Sequence, residues 1–109
     1  MMTLRSGEFW VANILFTDGS AGKKRPVLVL WLDGQDVVVA AVTSAAPRSS
    51  TDVLLADWRN SGLRVPSTVR LSRLDSLEQA LLLTKLGRLS SADAQTLQKT
   101  WTTHIQLRF

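Results

Sequence analysis

The chain has 109 residues, 45% of them hydrophobic and 20% charged, which is the profile of one soluble globular domain expected to span residues 1–109 around a single core. It has no cysteine and one histidine, which excludes a disulfide scaffold, a thiolate zinc site and a multi-histidine metal centre. A net charge of +4 and a pI near 10.4 suit an anionic partner.

The first residues, MMTLRSGEFW, lack the apolar stretch of a signal peptide. No apolar run approaches the roughly 20 residues of a membrane helix, so a cytoplasmic protein without membrane association is expected. Gly7–Leu15 reads as a first strand, rich in aromatic and branched residues. Thr17–Gly22 (TDGSAG) reads as a loop, since Gly and Asp favour turns. The loop runs into Lys23, Lys24 and Arg25, where the charge stops. Pro26–Leu32 is continuously apolar, as in a strand covered on both faces, with Pro26 at its start, where a missing N–H is tolerated. Asp33-Gly34 signals a hairpin, and Asp36–Ala46 is the returning strand, with Thr43 and Ser44 interrupting its apolar run.

Pro47–Thr51 reads as a turn and Asp52–Leu55 as a short strand. Asp57–Gly62 reads as one helical turn closed by Gly62. Ser67–Leu74 alternates, with Val69 and Leu71 set against Arg70, Ser72 and Arg73. Ser76–Ala80 suggests a short turn. Leu81–Leu89 fits helix or strand by periodicity, and Thr84 and Gly87 favour strand. Ser90 caps a helix in which Asp93, three residues on, forms a capping-box-like pairing, and Leu97 and Trp101 share one face. The tail from Thr102 to Phe109 adds a strand or frays. Short strands in a meander with one C-terminal helix give a mostly β (α+β) domain, and a small SH3-like barrel is the architecture that fits this order.

The ordered set G-E-F-W, K-R-P-V-L-V-L, V-T-S, S-T-V-R-L-S-R-L and K-L-G-R-L-S-x-x-D, running from about Gly7 to Trp101, resembles the MazF/PemK family of toxins from bacterial toxin–antitoxin pairs. The resemblance implies an SH3-like barrel, a homodimer and a sequence-specific endoribonuclease acting on single-stranded RNA. It also implies a cognate antitoxin whose disordered tail wraps the dimer and blocks the RNA groove, with operator DNA met only through that antitoxin. Members place an Arg before the Pro-Val-Leu strand and a Thr at the end of the next; here these are Arg25 and Thr43, the expected catalytic residues. Lys23, Lys24, Ser44 and Arg70 are the expected RNA-binding residues, with no metal and no cofactor.

These residue types suit the chemistry. RNA cleaves when its 2′-OH attacks the adjacent phosphorus, which requires in-line positioning, stabilisation of charge on the phosphoryl oxygens, and proton transfer. The planar fork of Arg donates two hydrogen bonds to phosphate, and a Thr hydroxyl can add a third. A guanidinium is a poor base at neutral pH, so charge stabilisation and proton donation to the leaving 5′-oxygen are the expected tasks of Arg25. Counting outward from Asp33-Gly34, Leu32 falls opposite Gln35 or Asp36, and Arg25 opposite Val42 or Thr43.

Other readings stand beside these. Lys23 and Lys24 also read as solvated loop charges, and Arg25 as a structural arginine paired with Glu8 or Asp36. Trp10, Trp31, Trp58 and Trp101 read as core or dimer-interface residues, Arg59 and Arg64 as solvated, and His104 lies outside every matched motif. In the PemK (Kid) branch an Asp follows the Arg of the later strand by two residues. Here that position is Ser72, which leaves the general base open and weakens Arg70 as a site residue. A gyrase-binding toxin of the CcdB type and an inactive RNA- or antitoxin-binding relative are the alternatives.

Overall fold

The computed structural model describes residues 3–14 and 22–109. Its strands are β1 (Glu8–Ile14), β2 (Lys23–Asp33), β3 (Asp36–Thr43), β4 (Asp52–Leu54), β5 (Thr68–Glu78) and β6 (Leu82–Arg88). A 3-10 turn (Gln79–Leu81) precedes β6, and one helix, α1 (Ser91–His104), follows it. The strands form one antiparallel six-stranded sheet in the order β4-β5-β3-β2-β1-β6. The mostly β class with a C-terminal helix is as expected. Extra residues in β6, β2 and β5 shift the register against β1 and β3 and mark the irregularities that bend such a sheet towards a barrel.

Strand alternation sends side chains to two cores. Phe9, Leu28, Ala40, Val42, Val69 and Leu71 share one face with Val53, Leu55, Leu63 and, from α1, Leu97. Trp10, Ala12, Val27, Val29, Val37 and Val39 share the other with Leu4, Leu77 and Leu82. Trp10 is buried, while Trp58 and Trp101 pack partly buried against the first core. Trp31 is 43% exposed and meets Trp101 edge-on, with ring centroids 6.0 Å apart.

The helix starts as its sequence suggests and docks differently. The Ser90 hydroxyl accepts the Asp93 N–H at 3.1 Å, the expected N-cap. The Asp93 carboxylate does not complete a capping box. Its two oxygens accept the N–H groups of Ala56 and Asp57, each at 2.9 Å, and so tie α1 to the segment after β4. That segment turns at Asp57–Gly62, where the Ser61 N–H donates to the Asp57 carbonyl and Gly62 takes φ +87°. A Cβ on Gly62 would lie 1.9 Å from the Leu86 carbonyl oxygen, and one on Gly87 2.3 Å from that of Ser61, so two glycines let this turn seat on β6.

Several boundaries move. β2 begins at Lys23, three residues before Pro26, because β1 is long enough to pair with the basic residues (Ile14↔Lys23, Asn13↔Lys24, Ala12↔Arg25). Pro26 lies where the β2–β3 ladder has ended, so its missing N–H breaks no bond there. The apolar run is not covered throughout, since Trp31 and Leu32 are exposed. The hairpin turn is Gly34-Gln35 rather than Asp33-Gly34. Gly34 alone has positive φ (+62°) and Asp33 pairs with Asp36, the pattern of a type II′ turn.

β3 stops at Thr43, leaving Ser44 and Ala45 in a bend. β5 runs on to Glu78 through the segment expected to turn, because three extra residues between its partners of Ala41 and Ala40 are accommodated as a bulge. Helix α1 extends to His104, so Thr102–His104 neither frays nor forms a strand. Leu15 and all of the expected loop but Gly22 lie outside the described residues.

Candidate active site

The geometry of β2 and β3 sets the site. Their ladder begins at Asp33↔Asp36, shifts by one at Leu30, and continues to Val27↔Ala41. Carried two residues past that last pair, the same register brings Arg25 level with Thr43 on the neighbouring strand. Arg25 is the direct partner of Ala12, and Ala12 and Val27 belong to the second core, so alternation puts Arg25 on that face, at its open end. Thr43 follows Val37, Val39 and Ala41 on the same face, half-buried. Its Oγ1 accepts the Ala45 N–H at 3.1 Å, which fixes the side chain while its own O–H keeps its donor capacity.

β5 and β4 continue the row. Thr43 is paired with Thr68, Ala41 with Arg70, and Arg70 in turn with Asp52. Arg25, Thr43, Thr68, Arg70 and Asp52 therefore share one face at one end of the sheet. Thr68 is fully buried, and its hydroxyl has no hydrogen-bond partner among the described residues. Arg70 reaches the Asp52 carboxylate, its Nε 3.3 Å from Oδ1. The other carboxylate oxygen accepts the Arg48 N–H at 2.9 Å. Thr68 and Asp52 were not picked out from the sequence. Thr68 stands two residues before Arg70 in an alternating strand, a signal that places it on the same face. Asp52 shows itself only through cross-strand pairing.

The remaining expected residues divide. Lys23 shares the face of Arg25, whereas alternation turns Lys24 to the opposite face; both are strand residues at the exposed end of β2 and not loop charges. Ser44 is exposed, just past β3. Ser72 lies in the β5 bulge, exposed, and the carboxylate that Arg70 meets comes from β4 instead. His104 ends α1, whose buried side chains include Leu97 of the other core, on the far side of the sheet. Among the described residues no three His, Cys, Asp or Glu side chains are grouped to hold a metal ion.

Glu8 is occupied elsewhere. It is buried, and its carboxylate takes Lys85 Nζ at 2.8 Å, the Trp10 Nε1–H at 3.1 Å and the Arg5 N–H at 2.9 Å. Burial pushes its pKa up, but the hydrogen bonds from Lys85, Trp10 and Arg5 outweigh burial and hold the carboxyl below its ordinary value. Asp36 stands at the hairpin, the opposite end of β3 from Thr43.

The family model of the PemK-like, MazF-like toxin of type II toxin–antitoxin systems matches residues 5–104, nearly the whole chain. The chain belongs to this family. Solved structures agree on the fold. An endoribonuclease from a Mycobacterial species, solved in complex with its cognate antitoxin, superposes with a TM-score of 0.76 at 16% identity, covering 98% of this chain and 99% of that one. The Mycobacterium tuberculosis toxin MazF-mt6 gives 0.74 at 22% identity, with 94% and 99% covered. MazF of a MazE–MazF structure from Deinococcus radiodurans gives 0.72 at 20%, with 94% and 92% covered. No match was found among curated proteins. At these identities the PemK/MazF fold is shared while most side chains differ, so the row from Arg25 to Asp52 stands on its own geometry.

Proposed function

We propose that the chain is the toxin of a type II pair and a sequence-specific endoribonuclease that cleaves single-stranded RNA without a metal or cofactor. The observation that carries this reading is the β2–β3 register, whose continuation two residues past Val27↔Ala41 would bring Arg25 level with Thr43 in a PemK/MazF fold. The neighbours named as endoribonucleases support the same reading. In the reaction, the substrate's 2′-oxygen bonds to the adjacent phosphorus and the P–O5′ bond breaks. The ends are a 2′,3′-cyclic phosphate and a 5′-hydroxyl. The 2′-hydroxyl gives up its proton to solvent, while Arg25 stabilises charge on the phosphoryl oxygens, donates a proton to the leaving 5′-oxygen and is reprotonated from solvent. Thr43 donates its O–H to the phosphate. Lys23 and Arg70 on the same face, with Ser44 beside it, contact the flanking backbone, and Lys24 adds to the field that draws RNA in.

The Mycobacterial neighbour solved with its cognate antitoxin supports a cognate antitoxin as protein partner, and on the family resemblance alone we infer that operator DNA is reached only through it. We infer a homodimer and a cytoplasmic setting on the same family grounds. Among the described residues no helix is long and apolar enough to cross a membrane.

The test is a long single-stranded RNA incubated with purified protein in EDTA, with the fragment ends mapped. Cleavage at a short recurring sequence with cyclic-phosphate ends is expected. Arg25→Ala should lower the rate at least about 100-fold, the scale of losing a charge-stabilising donor, and Thr43→Ala about 10-fold or more. Cleavage that survives Arg25→Ala would refute the assignment. A folded wild-type protein that cleaves no RNA would refute the activity.

A further inference from the structure

Asp52 carries a feature that the cleavage chemistry does not itself require. Its side chain is only 1% exposed, yet it bears a charge, and its two oxygens serve two different segments. Oδ1 faces Arg70 Nε at 3.3 Å, and Oδ2 accepts the Arg48 N–H at 2.9 Å. Arg48 lies in the connection between Thr43 and β4, so one carboxylate ties the loop leaving Thr43 to the guanidinium on the neighbouring strand β5. A buried ion pair gives little net stability, because the cost of desolvating both charges is comparable to their attraction. Stability is therefore a poor reason for this one.

The contact through Nε is informative. A guanidinium held by Nε is fixed in plane and direction, and its terminal nitrogens are the pair that forks onto a phosphate. Arg70 is 18% exposed, so it is not closed off from solvent as Asp52 is. Thr68, two residues before Arg70 on the same strand face, adds beside the row a buried hydroxyl without a partner among the described residues.

We propose that Asp52 is a positioning residue that aims Arg70 at an RNA phosphodiester flanking the scissile one, and that it acts through orientation and not through its own charge at the substrate. This rests on the reading of the chain as an RNA-binding endoribonuclease. The proposal makes a prediction opposite in sign to simple electrostatics. Removing a negative charge beside an RNA site should tighten binding if charge alone mattered. If Asp52 aims Arg70, Asp52→Asn should weaken it. The Asn carbonyl oxygen still accepts the Arg48 N–H, but its amide presents N–H to Arg70 Nε–H, so the guanidinium is released while the loop stays anchored.

The experiment measures the Kd of an uncleavable oligonucleotide, RNA with a 2′-deoxy residue at the cut site, for wild type, Asp52→Asn, Arg70→Gln and the double variant, over a range of salt. Asp52→Asn should weaken binding about 10-fold, the scale of one charge-assisted contact. The double variant should bind no more weakly than Arg70→Gln alone, because Asp52 has nothing left to aim. Arg70→Gln and Asp52→Asn should both lower the salt slope by about one phosphate's worth. Melting curves confirm folding. If Asp52→Asn does not fold, Arg70→Lys reads the same coupling, since lysine keeps the charge and lacks Nε, and it too should bind about 10-fold more weakly.

Tighter or unchanged binding by Asp52→Asn overturns the proposal, as do additive losses in the double variant or wild-type affinity in Arg70→Lys. A wild-type protein that binds the oligonucleotide but cleaves no RNA defeats the proposed activity and leaves this coupling standing. One that binds no RNA defeats both.

Discussion

Two buried polar side chains can be read as free energies. Glu8 is a buried carboxylate with three donors around it, held below its ordinary pKa. A group depressed in the folded state contributes stability that is complete above its unfolded pKa, about 4.3 for Glu, and lost as pH falls through the lower folded value. Glu8→Gln should cost about 1–3 kcal/mol at neutral pH, with Lys85 half-exposed and its share screened. The gap between variant and wild type should close below about pH 4. Urea titrations from pH 3 to 7 give both numbers, and a gap independent of pH would contradict the assignment. Thr68 is the reverse case, a buried hydroxyl with no partner among the described residues. Thr68→Val keeps its shape and should raise stability by about 1 kcal/mol, read as a rise in the denaturation midpoint. The site residues differ in how legible they were. Arg25 and Thr43 could be paired because a hairpin links them and counting outward from a turn is reliable to a residue or two. Asp52 could not, because its link to Arg70 crosses 18 residues and depends on β4 joining β5, which no local pattern announces.

Helix α1 offers the clearest prediction among the elements. Asp93 sits in its first turn, favoured by the helix dipole, and accepts two backbone N–H groups from outside the helix. Asp93→Ala should remove about 2–4 kcal/mol by leaving two N–H groups unbonded and the helix undocked from the 55–63 segment. Ser90→Ala, which removes only the cap, should cost about 1 kcal/mol. A loss for Asp93→Ala no larger than that for Ser90→Ala would show that the bonds to Ala56 and Asp57 contribute little. β1, β2, β3 and the first half of β5 were readable from branched residues, alternation and glycine punctuation, whereas β6 fitted helix or strand by periodicity and was settled only by Thr84 and Gly87. Strand ends were less readable. β2 gains Lys23–Arg25 because β1 offers partners for them, and β5 gains Asp75–Glu78 because β3 does. A strand's length is set by its neighbour, and neighbours are what one sequence window does not contain.

At the scale of the whole molecule, two cores lie on opposite faces of one sheet and share its middle strands. Neither can be lost without breaking the ladders that hold the other, so unfolding should be a single transition. Trp10 reports one core, and Trp58 and Trp101 the other. Fluorescence of Trp10→Phe and of Trp101→Phe should give one midpoint, coincident with circular dichroism, and separate midpoints would mean that the faces melt independently. The surplus of positive charge belongs to this scale too, since under the proposed function it sets the field that an RNA strand would meet before any contact forms. The irregularity at Leu30 bears on how kindred chains differ. Val29 faces Val39 and Trp31 faces Val38, so Leu30 is the one residue of β2 with no counterpart in that stretch of the ladder. Losing it would straighten the strand and leave every pairing unchanged, including the level of Arg25 with Thr43. Losing any residue from Pro26 to Val29 would slide the two apart. When orthologues are lined up, a one-residue gap between the basic cluster and the hairpin therefore belongs at Leu30, where evolution can lengthen or shorten this arm without disturbing the chemistry at its far end.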